Sequence, residues 1–117
     1  MRAESDRIYE ILNNDAALTA LIGNKIFPLV ADQGVDLPFV NYHISEDPKY
    51  SKEGKLEVIV TVTSFAKTYT EVTEIADAVF AAFSNQTVSE IFYYLGGSPG
   101  YNEEKLINVT QNYKYKN

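Results

Sequence analysis

Residues 56–65 read LEVIVTVTSF, and this alternation constrains the fold more than any other stretch of the chain. Side chains alternate across a strand with a period of two. Leu56, Val58, Val60 and Val62 therefore share one face, and Ile59, Thr61, Thr63 and Phe65 share the other. The next stretch of chain has a different period. Thr68 with Glu71 three places on forms a capping box, and Val72, Ile75, Ala76, Val79, Phe80 and Phe83 recur at helical spacing to about Ser84. A strong strand feeding an amphipathic helix predicts a sheet with helices packed on it.

The flanking segments extend that plan. Ile8, Ile11 and Leu12 sit at helical spacing, and Asn13 and Asn14 interrupt. Asp15 is the natural N-cap of a second helical piece, AALTALI, which Gly23 ends; one kinked helix is the alternative. KIFPLVA reads as a short extended segment and DQGVD as a turn. In LPFVNYHIS, Val40, Tyr42 and Ile44 face one way and Phe39, Asn41 and His43 the other. Proline removes a ladder donor, so Pro28 predicts a sheet edge or a bulge, and Pro38 belongs near a strand start. EDPKYSKEGK reads as a long polar hairpin loop, SEIFYYLGG as a strand, SPGYNEEK as a turn or loop, and LINVTQNYKY as a final strand. The predicted class is α+β: a mainly antiparallel sheet of four to five strands with helices on one face, in two layers. At 117 residues the chain fits one domain, 1–117, with no internal repeat.

Composition narrows function by exclusion. There is no cysteine, so disulfides, thiolate metal sites and cysteine nucleophiles are ruled out. The N-terminus has no apolar signal region and no apolar run approaches membrane-spanning length, which predicts a soluble intracellular product. A net charge of −6 argues against a protein that grips phosphate, because that requires clustered Lys and Arg. His43 is the sole histidine and lacks the partners of a triad. Glu46–Asp47 and Glu103–Glu104 are carboxylate pairs beside Lys49, Lys52 and Lys105, which reads as solvated loop charge. LGGSPG lacks the residues that complete a phosphate-binding loop. No catalytic, cofactor or metal site emerges. Tyrosine favours interfaces as well as strands, and Tyr50 and Tyr101 lean towards interface; Tyr113 and Tyr115 stay open between the two. The interface candidates are Lys49, Tyr50, Lys52, Tyr101, Glu103 and Glu104.

The stretch NNDAALTALIGNKIFPLVADQGVDLPFVNYHI, residues 13–44, resembles the N-terminal half of the tail-completion family of tailed bacteriophages and prophages, the tail-terminator or tail-to-head joining proteins. The family's D-x-x-L-x-x-L-x-G is matched by Asp15, Leu18, Leu21 and Gly23. Its short apolar segment is matched by Ile26, Phe27 and Pro28, and its Pro-aromatic-Val strand by Pro38, Phe39 and Val40. The family's later hairpin and amphipathic helix correspond to Leu56–Phe65 and Tyr69–Phe83.

The resemblance implies a structural assembly subunit, not an enzyme. It implies a ring of identical copies, a hexamer, that ends the tail tube, meets the major tail tube protein and the head–tail connector protein, and lets DNA pass without specific binding. The location implied is the virion's neck, after assembly in the bacterial host cytoplasm, with no membrane and no cofactor. An acidic lumen would keep DNA sliding, which fits the net charge of −6. The competing readings are a head-side neck protein and a small ligand-binding or enzymatic α+β domain, the latter requiring a pocket around His43 or a carboxylate.

Overall fold

The structure is a computed structural model that describes residues 2–28, 36–50, 56–84, 91–101 and 107–116. Its elements in chain order are α1 (Arg2–Asn13), α2 (Ala16–Ile22), β1 (Ile26–Pro28), β2 (Phe39–Tyr50), β3 (Leu56–Ala66), α3 (Tyr69–Ser84), β4 (Ile91–Tyr101) and β5 (Ile107–Lys116). Among the described residues no helix is long and apolar enough to cross a membrane.

Local chemistry explains the helix boundaries. Asp15 is extended, and its carboxylate accepts the Leu18 N–H at 2.9 Å, so α1 and α2 are two helices and not one kinked rod. Gly23 takes φ 66°, a left-handed value that glycine adopts without penalty, and its N–H donates to the Thr19 carbonyl. At the start of α3 the Glu71 N–H donates to the Thr68 hydroxyl at 3.1 Å, as the capping box requires.

The described strands form one sheet in the order β1-β2-β3-β5-β4. All neighbouring pairs are antiparallel except β1–β2, which is parallel, with Ile26 opposite Val40. β1 lies at an edge and Pro28 is its last residue, as the missing donor demands. β2 starts one residue after Pro38, whose bond to Leu37 is cis. The crossover through α3 carries the chain past β3 to the far edge, and β5 returns into the gap between β3 and β4.

Helix residues Ile8, Leu12, Leu18, Ile22, Val72, Ile75 and Val79 share one core with Val40, Tyr42, Val58, Val60 and Val62 from the sheet. The α+β, two-layer class is therefore as expected. Tyr113 and Tyr115 belong to this core as well. Phe83 stacks on Phe92 at 4.5 Å and meets Tyr113 at 4.7 Å.

Three expectations need correction. β2 does not stop before EDPKY but runs on to Tyr50, which pairs with Leu56; a register shift between Asp47 and Tyr50 accommodates Pro48. β4 likewise continues past GG through SPGY, because an edge strand tolerates proline and the shift between Tyr94 and Gly96 absorbs one extra residue. Phe80, grouped by spacing with the apolar positions of α3, is 43% exposed on the flank of that helix, where its ring meets Tyr94 edge-on at 5.3 Å. The tips of both loops, and the DQGV part of the first turn, lie outside the described residues.

Candidate assembly surface

The six residues singled out from the sequence do not converge. Lys49 and Tyr50 end β2, and Tyr101 ends β4. Because each strand from β2 to β4 is antiparallel to its neighbour, the β2–β3 turn and the β4–β5 turn lie at opposite ends of the sheet. Lys52, Glu103 and Glu104 fall outside the described residues. His43 is exposed on the sheet face opposite the helices, in register with Thr61.

A different region gathers the exposed apolar side chains. Tyr69 and Phe80 from α3 and Tyr94 and Leu95 from β4 are 59%, 43%, 47% and 53% exposed. Leu95 is thrust outward because it is the extra residue of the β4 bulge, and Gly96 beside it takes φ 129°, which a side chain would resist. β4 itself forms the outer edge of the sheet.

Between α3 and this edge runs a groove of about 190 Å³, lined among others by Tyr69, Thr73, Asp77, Tyr94, Gly97 and Gln111. Gly97 belongs there because a Cβ would stand 2.6 Å from the Tyr94 hydroxyl and 2.9 Å from the Thr110 carbonyl. Gln111 is buried, and its Nε2 donates to the Ala76 carbonyl at 3.1 Å, which fixes the amide. Its Oε1 is left without a donor among the described residues. Burial, and secondarily the neighbouring Tyr94, pushes the Tyr113 phenol well above the usual tyrosine value.

Among the described residues the groove holds one carboxylate, Asp77, and neither histidine nor a basic side chain lines it. No cluster of His, Asp and Glu among the described residues could hold a metal ion. The arrangement suits recognition: aromatic rings beside an open strand edge among the described residues.

A family profile described as tail completion protein gp17 matches residues 6–110. The chain belongs to this family. It is thus a structural protein of the phage-tail type, and the family match takes in α2, the whole α3–β4 region and five of the strands in whole or part. The fold is similar to that of a chain in the solved structure "Virion of native gene transfer agent (GTA) particle". The TM-score is 0.74 and the identity 17%, over 92% of this chain and 89% of the other. No curated protein matches by sequence.

Sequence reasoning on this tail-completion chain picked residues at the ends of β2 and β4 and in the segments that follow them, and passed over Phe80, Tyr94 and Leu95. One signal was present: IFYYLGGSPGY carries no charge at all.

Proposed function

We propose that the chain forms a ring of identical copies that ends the tail tube and joins it to the head connector. The observation that carries this reading is the family match over residues 6–110. The ring meets the major tail tube protein on one side and the connector on the other, at the neck of the virion. DNA passes through its channel without being held, which the net charge of −6 supports, since a lumen lined by Lys and Arg would retain it. The chain acts by assembly and not by catalysis, as one domain.

The test is genetic and structural. Deleting the gene from the phage or prophage that carries it is expected to yield tubes of uncontrolled length and filled heads without tails. A plasmid copy is expected to restore joined particles. Joined particles with tails of normal length from the deletion strain would overturn the reading.

A further inference from the structure

Of the five large apolar side chains that are exposed among the described residues, four stand on α3 and β4: Tyr69, Phe80, Tyr94 and Leu95. Exposed apolar groups gathered in this way mark an interaction site more often than scattered ones do. The strand beside them is an open edge, and proteins normally blunt such edges with charge, proline or brevity. The two edges of this sheet differ in that respect. β1 is three residues long and ends in Pro28, whereas β4 runs for eleven residues without one charged side chain and carries its proline, Pro99, only near its far end. The bulge in β4 does not tuck its extra residue away but presents Leu95 to solvent.

Charge says what covers this shoulder. From Thr68 to Glu104 the sequence has no Lys, Arg or His, while Glu71, Glu74 and Asp77 lie on α3. Lys114 and Lys116 stand on β5 opposite Tyr93 and Ile91, and the stretch with the most bases lies elsewhere, in KYSKEGK at 49–55, which places three lysines against one glutamate. That run begins at the end of β2 and continues into the residues between β2 and β3, whereas the acidic shoulder flanks β4 at the sheet edge. Contact between two different patches is head-to-tail, and such contacts build rings.

We propose that the α3–β4 shoulder is where a second copy of this chain docks, with Ile91–Tyr101 as the acceptor edge and residues 49–55 of the neighbour as the incoming segment. The partner's identity rests on the ring reading above. Backbone pairing to β4 supplies affinity, Tyr94 and Leu95 supply apolar cover, and the lysines meet Glu74 and Asp77 at the rim.

Because the chain has no cysteine, introduced thiols report this contact alone. Lys52→Cys and Leu95→Cys variants, mixed and treated with a short bismaleimide, are expected to give the mixed dimer in preference to either homodimer. In sedimentation, Glu74→Lys with Asp77→Lys is expected to weaken self-association roughly tenfold, the scale of two rim charge pairs. Lys49→Glu with Lys52→Glu should do the same, and the two double variants mixed together should regain most of the loss. Unchanged far-UV circular dichroism and melting temperature show that each variant is folded. A Leu95→Cys homodimer as the main product overturns the proposal in favour of edge-to-edge pairing. Oligomers that give no mixed product overturn it while leaving the ring reading intact. A chain that stays monomeric up to millimolar concentration also overturns it, and tail length in the deletion strain then decides the ring reading separately.

Discussion

Val60 and Thr61 are neighbours on β3, yet they occupy different solvents. Val60 is fully buried under the helices with Val58 and Val62. Thr61 faces the other way, is only half-buried, and donates a hydrogen bond to the Asn112 Oδ1 at 2.8 Å. Apart from the buried Ser64 and Gln111, the covered face is aliphatic and aromatic from β2 across to β4. The open face is polar but nearly uncharged in its middle, with Asn41, Thr61, Thr63, Thr110 and Asn112 half-buried there. Towards β1 it turns aromatic, where Phe39 stacks on Phe65 at 4.8 Å. One face thus holds the fold together by excluding water. The other is held by cross-strand pairs that water can replace, and those are worth far less.

The sharpest way to break the comparison is to empty the covered face. Tyr113 is 1% exposed and packs against Phe83 and Tyr94. Tyr113→Ala is expected to cost about 3–5 kcal/mol, the range for removing a large aromatic from a core, measured by urea unfolding. An effect below about 1 kcal/mol would mean that the site collapses or that the face is not dry. Overfilling the same face should cost less. In Gly97→Ala the new methyl can push the Tyr94 hydroxyl aside but not the Thr110 carbonyl, which is backbone. The expected loss is about 1–3 kcal/mol. On the open face, Asn112→Ala removes an acceptor that solvent can replace for Thr61. It should cost about 0.5–1.5 kcal/mol, and a larger loss would say that this face is covered in solution too.

The covered face was largely legible in the sequence because it is written in local periods. The alternation at Leu56–Phe65 and the spacing of Val72, Ile75, Ala76 and Val79 each need only a few neighbouring residues to be read. Asp15 and Gly23 likewise act on the backbone within four positions. What could not be read is non-local. Pro48 and Pro99 look like turn residues until it is known that a bulge or an edge accommodates them. The parallel pairing of β1 with β2 depends on the path of the intervening chain, which local pattern does not encode. Phe80 has the right spacing for the core, but spacing does not say how wide a stripe the sheet covers. The same limit hid the candidate surface. It exists because the α3 crossover delivers β4 to the far edge, beside Phe80 and Tyr69, and no motif records that placement.

A smaller substitution tests how dry the covered face is. The Tyr113 hydroxyl is buried and has no hydrogen-bond partner among the described residues. Tyr113→Phe keeps the ring and removes only that oxygen, so the change near neutral pH should be neutral or stabilising, within about 1 kcal/mol. The alkaline side separates the possibilities. Burial raises the folded-state pKa of Tyr113 above the ordinary value of 10.0. The unfolded chain therefore loses this proton first, and the folded chain binds more protons in the window above about pH 10. Stability contributed by the neutral phenol is fully present below that pH and falls as pH rises towards the folded-state value. Tyr42 is shifted the same way, chiefly by burial, and keeps part of the slope in any single variant. Unfolding measured between about pH 9 and 11 should thus decline less steeply in Tyr113→Phe than in the parent. Identical slopes would mean that water reaches the phenol, and the contrast between the two faces of the sheet would have to be redrawn at β5.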